Sequence, residues 1–191
     1  LQLRANPNIG KDFAMEVATH APQKFDYLPP VMRADKQVAL TAMNQVGSLF
    51  SHVGQALMSD RDVVLAAVGT YGETLRKLAH EFHADKEIVT AAVKNYGPAL
   101  SYANDELKAD REVVLHAVSK WGGSLEFASN QLRDDAEVVT QACKQDAASF
   151  KFASQRLKND RAFILNLVSH AGAALSHANR AFRNDEEVVK A

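Results

Sequence analysis

A short phrase opening on aspartate returns every 25 residues along this chain, and so short and regular a period restricts the fold to a stack of small similar units. It reads Asp60-Arg61-Asp62-Val63-Val64-Leu65, Asp85-Lys86-Glu87-Ile88-Val89, Asp110-Arg111-Glu112-Val113-Val114-Leu115 and Asp135-Ala136-Glu137-Val138-Val139. Asp35, Asp160 and Asp185 fall on the same step, Gly10 stands one step earlier, and no insertion or deletion interrupts residues 10 to 191.

With the aspartate as position zero, the apolar columns become visible. Position three reads Phe13, Val38, Val63, Ile88, Val113, Val138, Phe163 and Val188, and position four is Ala, Val or Ile throughout. Positions seven and eight are small or apolar, as in Ala117-Val118 and Leu167-Val168. Positions three, four, seven, eight and eleven trace one stripe on a helix of 3.6 residues per turn, which the alternation of a strand would not produce. The aspartate is placed to cap that helix by accepting hydrogen bonds from amides of the first turn, and Asp or Glu at position two suits the helix dipole.

Gly47, Gly72, Gly97, Gly122 and Gly172 all occupy position twelve, which predicts a left-handed closure of the first helix. A second helix of about ten residues then follows, apolar at positions fifteen (Phe50, Leu75, Leu100, Leu125, Phe150, Leu175), eighteen (Ala103, Ala128) and twenty-two (Leu57, Phe82, Leu107, Leu132, Leu157, Phe182). Two short helices cannot bury their own apolar faces, so stacking must complete the core. The expected fold is an all-α, right-handed αα-hairpin solenoid of about seven repeats, forming one domain over residues 1–191.

The repeats are not all alike. Residues 10–34 form a degenerate first repeat: Pro22 replaces the glycine, and Pro29-Pro30 should shorten or break the second helix. Residues 35–184 hold six regular repeats, and residues 185–191 read as the start of a further one. Ala147 stands where a glycine is expected and Asp146 where an aromatic is expected. Local preference would fuse the helices there. Losing Phe150 and Leu157 from the core would forfeit about 1.5–3 kcal/mol each, so the break should persist as a right-handed or 3₁₀-like turn.

The pattern from Asp110 to Arg133 resembles the repeat family known as domain of unknown function 4116, over roughly residues 10 to 191. The resemblance implies an array within a larger protein of the kind found in intracellular bacteria and protists, some of them delivered into host cells. It implies no reaction, cofactor or ligand, because its motif consists of core and capping residues.

Composition narrows the function. Twenty-two basic and 23 acidic side chains leave a formal charge of -1, with no global excess to attract nucleic acid or an anionic membrane. No apolar run nears the ~18 residues needed to cross a bilayer, and residues 1–4 carry no signal-peptide pattern. The lone Cys143 excludes an internal disulfide framework and suits a reducing compartment, cytoplasmic or a host cytosol. No initiator Met is present, so an excised or processed segment is expected.

Basic columns at position one (Lys11, Lys36, Arg61, Lys86, Arg111, Arg161) and position twenty-three (Arg33, Lys108, Arg133, Lys158, Arg183) could form a phosphate ladder, although acidic columns at positions zero and two lie beside the first. Aromatics at position eleven (Tyr71, Tyr96, Trp121) fall in the apolar stripe and read as core. Those at seventeen (Tyr27, Tyr102, Phe127, Phe152), with His52 and His177, lie off its centre; they are either buried against the next repeat or exposed as a binding ridge. His80 and His83 have metal-ligand spacing but lack a third ligand, and Cys143 reads as a small core residue.

No catalytic motif, metal or cofactor is implied. The expected role is a monomeric scaffold for a protein partner, in a larger effector-like protein. Its candidate contacts are Tyr102, Phe127, Phe152, His52, His177 and the variable-position residues His116, Lys120 and His170. The alternative is a nucleic-acid-binding array that uses the basic columns.

Overall fold

The computed structural model describes residues 10–190; residues 1–4, examined above for a signal pattern, and Ala191 lie outside them. The chain falls into two compact units, Leu1–Asn95 and Tyr96–Ala191. In the first, helices α1 (Lys11–His20), α2 (Lys36–Met43), α3 (Arg61–Thr70) and α4 (Lys86–Asn95) pack in chain order. The 3₁₀ segments Pro22–Tyr27, Gly47–His52 and Gly72–Lys77 stack in the same order beside them. The second unit repeats the plan with α5 (Arg111–Lys120), α6 (Ala136–Gln145), α7 (Arg161–Ala171) and α8 (Glu186–Lys190). Its 3₁₀ segments are Gly97–Tyr102, Gly122–Phe127, Ala147–Phe152 and Gly172–His177. The architecture is an all-α repeat solenoid, with no strand among the described residues.

The aspartates cap as their position requires. Asp35, Asp60, Asp85, Asp110, Asp135 and Asp185 each accept hydrogen bonds from the amides two and three residues on, as in Glu112 N to Asp110 Oδ1 at 3.0 Å. Asp160 accepts only from Phe163 N.

The apolar doublet serves two neighbours. Val38, Val63, Ile88, Val113 and Val138 at position three, and their partners at position four, are fully buried. Phe13, with no described repeat before it, is 41% exposed at position three while Ala14 is buried; Val189, with none described after it, is 59% exposed while Val188 is buried. Position three therefore packs against the preceding repeat and position four against the following one.

The expected ten-residue second helix is corrected to two pieces. A six-residue 3₁₀ segment ends before position eighteen, where the backbone turns extended, as at Ala128 (φ -69, ψ 154). A separate short segment follows, such as Asn130–Arg133. The extended link turns the position-nineteen amide toward the preceding repeat: Ser129 N donates to Lys108 O, Ser154 N to Arg133 O and Gly54 N to Arg33 O, all at 2.9 Å. A continuous helix would consume that amide internally, whereas the break stitches one repeat to the next. Side chains at position eighteen, from Leu28 and Val53 to Ala153 and Ala178, still enter the core.

Position nineteen also decides the form of the short segment. Asn104, Ser129, Ser154 and Asn179 cap it with their side chains, and α-helical turns follow at Asp105–Lys108, Asn130–Arg133, Gln155–Lys158 and Arg180–Arg183. Gly54 and Ala79 supply no cap, and 3₁₀ turns follow at Gln55–Ser59 and His80–Ala84. In the first repeat Pro30 opens the helical turn Pro30–Arg33, where its missing amide costs nothing.

The left-handed glycine closure is a further correction. No described residue, glycine or otherwise, has positive φ. Position twelve is glycine because the next repeat approaches it closely. A Cβ on Gly47 would stand 2.1 Å from Ala67 O, one on Gly97 2.6 Å from Ala117 O, and one on Gly122 2.4 Å from Ala142 O. At Ala147 the break persists as anticipated: α6 ends at Gln145 and a 3₁₀ segment begins at Ala147. That segment is the rule in every repeat, so it relieves no special strain. Asp146 caps it by accepting from Ala148 N at 3.0 Å.

Candidate interaction surface

Five of the position-one cations pair across repeats, meeting the capping aspartate of the next repeat and usually its position-two acid. Lys11 lies 2.9 Å from Asp35; Lys36 lies 2.9 Å from Asp60 and 2.6 Å from Asp62; Arg61 lies 3.0 Å from Asp85 and 2.6 Å from Glu87. In the second unit Arg111 bridges Asp135 and Glu137, and Arg161 bridges Asp185 and Glu187. Hydrogen bonds from Lys11 and Lys36 hold Asp35 and Asp60 below the usual carboxylate range, and Arg161 does the same to Asp185. The acids that looked like sequence neighbours of a phosphate ladder are its counter-ions in space.

Position ten is a second stitch, which periodicity alone did not reveal. Gln45 Nε2 donates to Ala18 O and Thr19 O, Thr70 Oγ1 to Met43 O at 2.7 Å, and Asn95 Nδ2 to Thr70 O at 3.2 Å. Asn95 Oδ1 accepts from Gly72 N at 2.8 Å, and Gln145 Oε1 from Gly122 N. The two candidate contacts at this position behave differently. Lys120 is exposed, and exposed His170 turns Nδ1 to Asn166 O and Ser169 Oγ within its own helix.

Position eleven reverses its expected placement. Tyr71 is 42% exposed, Trp121 53% exposed and Tyr96 half-buried, so the column lies outside the core. The physical reason is the cap backbone. Trp121 terminates α5 at φ -150, ψ 99, an extended conformation that carries its side chain off the helical stripe. In the second unit Tyr96 and Trp121 meet edge to face, with centroids 6.1 Å apart and planes at 69°. In the first, Tyr71 donates to Glu73 Oε2 at 2.7 Å.

The position-seventeen candidates Tyr102, Phe127, Phe152, His52 and His177 are half-buried, between the two placements weighed for them, and so is His116. His83 Nε2 lies 2.8 Å from Leu75 O, and no group of three or more His, Cys, Asp or Glu able to hold a metal occurs among the described residues. Cys143 is buried, and burial, reinforced by the charge of Asp146, pushes its thiol up to about 12. No helix among the described residues is long and apolar enough to cross a membrane.

A family model described as Domain of unknown function (DUF4116) matches residues 60–108, 85–133, 110–158 and 135–183, each window spanning about two repeats. No curated protein and no solved structure matches the chain.

Proposed function

The chain belongs to the family described as Domain of unknown function (DUF4116), and from that premise we propose that it is a non-catalytic scaffold for a protein partner. The observation that carries this reading is the Tyr96–Trp121 pair, in which a half-buried Tyr96 ring supports the exposed Trp121 ring edge to face within one unit. Trp and Tyr dominate the energetics of protein interfaces because they bury large area with few rotatable bonds. The frame beneath them is fixed by caps and inter-repeat hydrogen bonds, so little ordering entropy is lost on binding.

The nucleic-acid alternative draws its support from the basic columns, and the first of these is weakened as an argument. Five of its cations, Lys11, Lys36, Arg61, Arg111 and Arg161, already face carboxylates, and neutralising a phosphate would mean breaking those pairs.

Peptides selected against the chain from a random display library, fluorescently labelled and titrated by anisotropy, test the proposal. Binding should weaken about thirtyfold or more in Trp121→Ala, the expectation for an aromatic hot spot. A random oligonucleotide that binds with steep salt dependence, in a chain where Trp121→Ala has no effect on any ligand, would favour the nucleic-acid reading instead.

A further inference from the structure

The second basic column, at position twenty-three, behaves unlike the first. In the first unit Arg33 is satisfied by backbone: Nε donates to Leu28 O at 3.2 Å and a terminal nitrogen to His52 O at 2.8 Å. Arg133 occupies the same place in its repeat but donates to Asn130 Oδ1 at 2.6 Å, and its Nε is buried with no acceptor. A guanidinium N–H buried without a partner is uncommon, because its desolvation is not offset by a hydrogen bond.

Arg133 also lines a recess. A cavity of about 350 Å³ is bounded by Arg133, Lys151, Lys158, Phe152, Ser154 and Asn130, among others, and no carboxylate lines it. Lys158 Nζ donates to Lys151 O, and Lys151 Nζ stands 4.7 Å over the Phe152 ring. Among the described residues none of the three cations has an ion-pair partner, in contrast to the paired cations of position one. Asp134, adjacent in sequence to Arg133, is engaged by Arg156 at 2.9 Å and by Ser154. Burial, and then the charge of Arg133, holds the Lys158 ammonium below the ordinary lysine value. The cations therefore oppose one another.

We propose that this recess is an anion site, shaped for a phosphate monoester group, in which Arg133, Lys151 and Lys158 supply the charge. A phosphate monoester carries about -1.5 to -2 charge and three acceptor oxygens, matching three separately mounted cations; a carboxylate would leave most of that charge uncompensated. The site is local to two repeats. Lysine at position sixteen (Lys151) together with basic residues at position twenty-three on both sides (Arg133, Lys158) occurs only here; one repeat earlier Glu126 takes position sixteen. It lies apart from the aromatic pair and does not depend on the scaffold reading.

The test is a titration of the full 191-residue chain with inorganic phosphate at constant ionic strength, followed through the backbone amide resonances of Phe152 and Ser154, with chloride as the control salt. A parallel arm compares a phosphoserine peptide with its unphosphorylated form: tighter binding of the phosphopeptide than of phosphate identifies a modified partner as the source, and equal binding a free anion. Saturable binding should appear with phosphate and not chloride. It should weaken about tenfold in Lys158→Gln and in Arg133→Gln, the loss of one charge-assisted hydrogen bond, and stay unchanged in Arg61→Gln. Lys151→Gln alters an exposed residue and keeps the test valid if the variants at the half-buried Arg133 and Lys158 unfold. Absence of saturation, or equal affinity in Lys151→Gln, Lys158→Gln and the wild type, overturns the site.

Discussion

The carbonyl oxygen of Ala142 lies so close to Gly122 that a Cβ on the glycine would stand 2.4 Å from it. The glycine column thus records the contact distance between successive repeats, and not a left-handed turn. Gly122→Ala should destabilise the chain by about 1–3 kcal/mol through forced separation of the repeats. At the adjacent Gly123 the nearest atom is 3.9 Å away, and alanine there should change stability by less than about 0.5 kcal/mol. Denaturant midpoints of the two variants decide it, and equal midpoints would remove the packing explanation.

Asp135 both caps α6 and faces Arg111, and two substitutions separate those roles. Asp135→Asn keeps a capping oxygen and loses the charge, so it should cost less than about 1 kcal/mol and diminish in high salt. Asp135→Ala loses both, at about 1–2 kcal/mol, mostly insensitive to salt. If the alanine effect vanishes in high salt, the cap contributes nothing.

The pairing of Asp35, Asp60 and Asp185 makes stability depend on acid pH. Their folded values lie below the ordinary carboxylate value, so the folded state binds fewer protons than the unfolded chain. The contribution is complete above about pH 4 and is lost as pH falls through the lowered folded values. Lys36→Gln removes the partner of Asp60 and should flatten this acid arm in denaturation midpoints measured between about pH 6 and 3; an unaltered arm would show that the pair carries no linkage.

Cys143 should resist thiol reagents in the folded chain. With its thiol pushed up to about 12, roughly one molecule in ten thousand carries a thiolate at pH 8, and the sulfur is buried besides. Reaction with a chromogenic disulfide should be slow in native buffer and become fast in denaturant. Rapid labelling of the native chain would mean that this part of α6 opens readily.

Trp121 is the single tryptophan, so quenching of its fluorescence reports directly on position eleven. A neutral quencher should reach it in the folded chain nearly as well as in the denatured one. Strong native protection would return the column to the core and remove the main support for the scaffold proposal.

How much of this was readable in the sequence depends on how local each cause is. The aspartate caps and the long helices follow from interactions within four residues, and the apolar doublet at positions three and four recurs with them, so a fixed period displays all three directly. At position nineteen the choice between Ser or Asn and Gly or Ala likewise separates an α from a 3₁₀ turn, a signal local enough to be legible in the sequence.

What the sequence determined by itself, then, was the repeat, its phase and its capped first helix. The tertiary structure alone decided the rest. The second helix is broken because an amide at position nineteen bonds to a carbonyl of the preceding repeat, and the glycines are required because a neighbour's carbonyl arrives there. Tyr71 and Trp121 are exposed because the chain turns extended at the cap, and cations of position one such as Arg61 are neutralised 24 to 26 residues away. Arg133, Lys151 and Lys158 converge without counter-charge for the same reason. A column of residues says which side chains are equivalent; only stacking one repeat on the next says which unlike columns touch, and those contacts set both burial and charge.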